Sequence, residues 1–320
     1  MFAVAGSERP VLALGMLYPT SDYAVHDRSV EAVFDPDGRA IFAVAYEFSQ
    51  KSTAVGALSV TPSGLTQALY SSKTTTQRYR MANWSSPNSF KDADRPLSSI
   101  GPGSIGGIQA NGPMVLQTLW DPYTQYAVVS TQPAAPIAPT LDAVRPLANG
   151  FVGRSLGGRS ILVVDSNGTS HEAHSAVPGR TISGVASIQT GTNSVVWVES
   201  AGTAPTLHDS VLYTAPLSNP TTKLVPRLVG SLPGTGGLGG SLMVAMNGMA
   251  VVVPDYDHVL LLRLSDGATW TLRAQPGEQF TQPLWADDTE VWIGAGSTHG
   301  TGIYENKTLR VPRDVFSKIN

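Results

Sequence analysis

Asp255-Tyr256-Asp257-His258 places two carboxylates, a phenol and an imidazole within four residues. Paired carboxylates serve glycoside cleavage when they flank the scissile bond about 5 to 9.5 Å apart. A neighbouring histidine or tyrosine can move the proton that such chemistry requires. The stretch lies between two apolar runs, Met249–Val253 and His258–Leu262, which read as strands. Asp35-Pro36-Asp37-Gly38 and Asp287-Asp288 are further acidic pairs, and their composition is that of turns.

Other motifs fail on context. Gly153-Arg154-Ser155-Leu156-Gly157 matches G-x-S-x-G, but a nucleophile elbow needs a helix after it. A strand-like run, 159–164, follows instead, so the motif reads as a turn between strands. Gly234-Thr235-Gly236-Gly237-Leu238-Gly239 contains G-x-G-x-x-G, yet it leads into the strand-like run 241–245. A dinucleotide fingerprint must open a helix, so that the pyrophosphate meets its N-terminus. His171-Glu172-Ala173-His174 suggests a metal, but on a strand residues three apart point to opposite faces. The other histidines, His26, His208, His258 and His299, are dispersed. Neither a metal nor a cofactor is expected, and no catalytic set stands out beyond Asp255 and Asp257.

Aromatic residues form the remaining class. Trp197, Trp270, Trp285 and Trp292 sit in strand patterns and are expected in the core. Trp84, Trp120, Tyr123 and Tyr126 lie in or near turns. Exposed aromatics stack on sugar rings or fill protein hot spots. Residues 71–104 are polar, with Lys73, Arg78, Arg80, Lys91 and Arg95 among Tyr79, Trp84 and Phe90. The segment reads as a long insertion loop, and loops of that length are commonly functional. Tyr79, Arg80, Trp84, Trp120 and Tyr123 are therefore the expected ligand contacts.

The elements that must position these residues are strands. Short runs rich in β-branched residues recur, such as Ser160–Val164 and Ser194–Val198, bounded by turn residues. Helical spacing is scarce, and the 32 glycines and 23 prolines interrupt nearly every stretch. An apolar run, a tight turn and a second apolar run form a loose repeat. Its turns are Asp35–Gly38, Asn111-Gly112, Asn149-Gly150, Thr190–Asn193, Asn247-Gly248 and Asp287-Asp288. Asn-Gly and Asp-Gly supply the positive φ of two-residue hairpins. The later turns are about 40 to 57 residues apart, the length of one four-stranded blade. Six turns give about 53 residues per unit over the 320 residues.

This pattern resembles a β-propeller of about six four-stranded blades, with the termini sharing one blade. Closure would remove exposed sheet edges. A seven-bladed ring or a pair of β-sandwiches also accommodates so degenerate a repeat. Leu264-Ser265-Asp266-Gly267-Ala268-Thr269-Trp270 resembles the Asp-box of sialidase-type propellers. The box usually separates Asp from Gly by one residue; here they are adjacent, and the motif occurs once. The outline resembles sialidase-like and lectin-like propellers, with residues 1–320 as a single domain.

Composition narrows the function classes. Hydrophobic residues make up 42%, enough for a large core, while charged residues are only 14% and net charge is -3. Without a basic footprint, nucleic-acid binding is not expected. The chain has no cysteine, which excludes disulfides and thiolate chemistry. Residues 1–18 lack the pattern of a signal peptide, since Gly6–Pro10 splits the apolar runs. No run approaches the length of a membrane span. Low charge and a Ser/Thr/Gly/Pro-rich surface resemble phage tail proteins, made in the cytoplasm and working outside. The expectation is a non-enzymatic binding, adhesion or assembly propeller that recognises a carbohydrate or protein partner, in a virion or at a cell surface and open to oligomerisation. The alternative is a glycan-active hydrolase or lyase using Asp255 and Asp257.

Overall fold

The computed structural model describes residues 2–3, 12–19, 26–34, 40–47, 53–61, 64–71, 77–83, 95–97, 103–108, 114–120, 123–129, 132–147, 149–188, 194–202, 206–233, 242–298 and 304–319. These residues are all-β apart from one 3-10 turn at Arg313–Val315. Contacts group the chain into two compact units. One is Met1–Thr140 with Pro146–Phe151 and Val164–Ser170; the other is Leu141–Arg145 with Val152–Val163 and His171–Asn320.

The strands build antiparallel sheets in chain order. β1 (Phe2–Ala3), β2 (Leu12–Pro19), β3 (His26–Phe34) and β4 (Ala40–Glu47) form the first. β5 (Thr53–Thr61), β6 (Gly64–Ser71), β7 (Gln77–Asn83) and β8 (Arg95–Leu97) form the second. β9 (Gly103–Ile108), β10 (Val115–Trp120), β11 (Tyr123–Val129) and β12 (Gln132–Ile137) form the third. The fourth holds β13 (Leu141–Leu147), β14 (Gly150–Ser155), β15 (Ser160–Val164) and β16 (Ser170–Ser175). The fifth holds β17 (Arg180–Ile188), β18 (Ser194–Ala201), β19 (His208–Pro216) and β20 (Arg227–Leu232). β21 (Leu242–Met246), β22 (Met249–Asp255), β23 (His258–Arg263) and β24 (Thr269–Arg273) make the sixth, where β28 (Ser317–Ile319) adds beside β24. β25 (Glu278–Ala286), β26 (Glu290–Thr298) and β27 (Tyr304–Pro312) make the seventh.

Burial follows strand position. The Ser194–Ala201 run of β18 is buried at every position but its two ends, as expected for a strand covered on both faces. The outer strand β16, Ser-His-Glu-Ala-His-Ser, buries only Ala173 fully. The fifth and sixth sheets share one apolar core, in which Val196, Val198 and Leu212 meet Met243, Val252 and Leu260. Trp197, Trp285 and Trp292 are buried, as their strand patterns led one to expect, whereas Trp270, expected with them in the core, is only partly buried.

Several turns take the expected form. Asn247 and Gly248 have φ of 49° and 74° and join the register partners Met246 and Met249. Asp165 Oδ1 accepts the N–H groups of Asn167 and Thr169, at 2.8 and 3.0 Å.

Three expectations are corrected. The described strands form seven sheets, not six. The second sheet escaped the count because residues 61–64 read Thr-Pro-Ser-Gly, without the Asn-Gly or Asp-Gly signature. The termini do not share a sheet: β1 pairs with β2, whereas β28 pairs with β24. Finally, 71–104 is not one insertion loop. It contains β7 and β8, paired through Gln77↔Leu97, Arg78↔Pro96 and Tyr79↔Arg95. A strand at the outer side of a sheet can be polar without losing its ladder, which is why composition suggested a loop.

Candidate functional site

The acidic pair lies in one hairpin turn. Asp255 and His258 are register partners, with Tyr256 and Asp257 between them. Asp255 Oδ1 accepts the Asp257 backbone N–H at 2.9 Å. The His258 Nδ1 lies 2.9 Å from Asp255 Oδ1 and 3.1 Å from Oδ2. Both side chains are about one-third exposed, and Tyr256 is half-exposed. Asp255 thus caps its own turn while holding an imidazole at the surface.

The residues of the His171–His174 stretch diverge. Glu172 accepts from Ser160 Oγ at 3.0 Å, Ser175 Oγ at 2.8 Å and Lys223 Nζ at 2.9 Å. The Lys223 hydrogen bond, helped by those of Ser175 and Ser160, holds its carboxyl down at about 2. His174 turns to another partner: its Nε2 lies 2.7 Å from Glu199 Oε1 on β18. Glu199 also accepts from Trp197 Nε1 at 3.1 Å and Val177 N–H at 3.2 Å. The Trp197 ring lies between His174 and Tyr213, with centroids 4.9 and 5.6 Å away. Burial pushes the Glu199 carboxyl up, but these bonds and the His174 charge outweigh it, so it sits below the ordinary value. Among the described residues, no three His, Asp or Glu side chains gather as a metal site.

The G-x-S-x-G stretch fits the expected turn only in part: Gly153–Ser155 end β14, and the turn begins at Leu156 and Gly157. It joins β14 to β15, and Ser155 Oγ accepts the N–H groups of Arg159 and Ser160 at 3.1 and 2.9 Å. The G-x-G-x-x-G stretch, 234–239, lies outside the described residues.

Of the five expected ligand contacts, Tyr79 and Arg80 lie on β7, where they pair with Ala68 and Gln67 of β6. Trp84 lies outside the described residues. Trp120 and Tyr123 are register partners that close the β10–β11 hairpin. The Tyr123 side chain is 61% exposed. Below it the hairpin is anchored, since Val115, Leu116, Ala127 and Val128 are buried.

One cluster was not anticipated from the sequence. On β13, Asp142 Oδ2 accepts Arg154 Nε at 3.2 Å and Nη2 at 2.7 Å. Arg154 Nη1 also donates to the carbonyls of Ile182, at 3.3 Å, and Ser183, at 2.8 Å, on β17. Arg145 donates to its neighbour Val144 O at 3.1 Å and to Met243 O of β21 at 3.2 Å. Its Nε is closed from solvent and has no hydrogen-bond partner. Two arginines in strand positions of a chain with 14% charged residues were the available signal.

No protein-family model matches the chain, and no curated protein matches it. Solved structures do. A streptogramin B lyase is similar with a TM-score of 0.50 at 10% identity, over 85% of this chain and 92% of that one. A COPII outer-coat vertex structure is similar with a TM-score of 0.48 at 12% identity, over 97% of this chain and 84% of that one. The polysaccharide lyase Uly1 is similar with a TM-score of 0.47 at 9% identity, over 94% of this chain and 88% of that one. These neighbours are propeller-type folds, and the chain shares their all-β character.

Proposed function

We propose that this chain is a non-enzymatic binding propeller that recognises a carbohydrate or protein partner, in an adhesion or assembly role such as that of a virion tail or cell-surface component. The observation that carries this reading is Tyr123, 61% exposed at the tip of a hairpin whose base is buried. An aromatic ring held out on a rigid hairpin loses little conformational freedom on binding. It offers one face for stacking on a sugar ring or for filling a partner's pocket. Trp120 directly opposite, together with Tyr79, Arg80 and Trp84, are proposed as further contacts. The test is retention of the purified chain on an array of glycans and bacterial envelope fractions, with ligand mass measured before and after. Retention with unchanged mass, weakened about tenfold or more by Tyr123→Ala, is the expected result.

A second reading is a glycan-active hydrolase or lyase using Asp255 and Asp257. The surface carboxylate–imidazole pair Asp255–His258, at 2.9 Å, favours it. A shortened or unsaturated glycan in the same assay, abolished by Asp255→Asn, would establish this reading in place of the first.

A further inference from the structure

We propose that Arg145 anchors an oxyanion site on β13, which takes a ligand bearing a carboxylate, sulfate or phosphate group. The inference is independent of the Tyr123 hairpin. A guanidinium carries five N–H donors and no acceptor. Two donors of Arg145 go to the neutral carbonyls of Val144 and Met243. That leaves Nε–H and one N–H on each terminal nitrogen. The acid that acts on this charge is Asp142, and its Oδ2 is already taken by Arg154 at 2.7 and 3.2 Å. Its Oδ1 accepts the Ala143 N–H at 2.7 Å. The cluster therefore holds two cations and one anion, and the surplus charge is on the arginine that lacks a direct counter-ion.

Burying a cation without a partner is unfavourable, and burial does push the Arg145 pKa down, against the pull of Asp142. An incoming oxyanion relieves that cost. A planar guanidinium suits it, because parallel N–H groups can meet two oxygens of one carboxylate, sulfate or phosphate. Along the strand, residues 142–146 are all partly exposed, while Leu141 and Leu147 at its ends are buried.

The test titrates the full chain with sodium phosphate, sodium sulfate and sodium glucuronate against sodium chloride of equal ionic strength. Binding is read by calorimetry and by the thermal midpoint. At least one of the three is expected to bind and raise the midpoint beyond the chloride control. Arg145→Met should weaken that ligand by at least about tenfold. Lys223→Met, which removes a cation elsewhere, should leave the affinity unchanged. Should Arg145→Met fail to fold, the 15N-labelled Nε resonance of Arg145 in the wild-type chain is followed instead, and it should move on titration. Glucuronate binding alone identifies a carboxylate ligand, and phosphate or sulfate binding alone a tetrahedral one. Equal affinity in Arg145→Met, a stationary Nε resonance, or no binding beyond chloride overturns the site.

Discussion

Glu199 shows how one buried carboxylate can hold two strands and an adjoining loop. It is 1% exposed and bonds His174 on β16, Trp197 on its own β18 and the Val177 backbone before β17. Removing one member of such a buried set leaves the others unpaired, which costs about 3 kcal/mol. Glu199→Ala is therefore expected to lower the unfolding free energy by about that much in denaturant titrations at neutral pH. The pH dependence has a definite sign. The Glu199 carboxyl lies below its ordinary 4.5 in the folded chain. Its contribution is complete above that value and is lost as pH falls through the lower folded value. Wild type and variant should thus converge in stability on acidification below 4.5. Glu172 is a contrast: its carboxyl sits at about 2, yet its side chain is 45% exposed, as is 66% of its partner Lys223. Solvent and salt screen this pair, so Glu172→Gln should cost under about 1 kcal/mol, and less as salt rises.

At the scale of the element, two glycines with the same φ of 74° make different demands. A Cβ on Gly248 would meet nothing within 4 Å. A Cβ on Gly267 would lie 2.1 Å from the Val229 carbonyl oxygen on β20. The first glycine is needed only for its backbone angle, at about 1–2 kcal/mol. The second is needed also because a neighbouring strand passes over it. Gly267→Ala should therefore destabilise more than Gly248→Ala, by on the order of 1–3 kcal/mol in paired thermal melts. The adjoining turn residues support this tight approach. Arg263 Nε and Nη2 donate to Asp266 at 2.9 and 2.6 Å, and Asp266 Oδ1 accepts the Ala268 N–H at 3.1 Å.

For the whole molecule, the main device seen among the described residues is how sheet edges are covered. β28 pairs with β24 through Thr269↔Ile319, Trp270↔Lys318 and Thr271↔Ser317. Arg313, just before it, lies over the Trp270 ring at 4.3 Å. An uncovered edge strand is a template for pairing with another chain. A chain ending at Phe316 should thus melt at lower temperature and show association by light scattering, in comparison with the full chain. No helix among the described residues is long and apolar enough to cross a membrane.

The sequence by itself determined the all-β class and many of the turns. Positive φ at Gly248, Gly168 and Gly267, and Asx caps at Asp165 and Asp287, are local properties of a few adjacent residues. The strand nature of β18 and β22 was equally legible, because an apolar run buried on both faces is a local pattern. The sheet count was not, since the Thr61–Gly64 sequence carries no such signature and β7 and β8 are polar. At the candidate sites, sequence put Asp255 beside His258 because they are neighbours in one hairpin. Only the tertiary structure could bring Arg145 to Met243, 98 residues away, or His174 to Glu199, 25 residues away. Turn chemistry depends on the φ preference of a residue and its neighbours, whereas a charge left without a partner depends on what distant strands bring beside it.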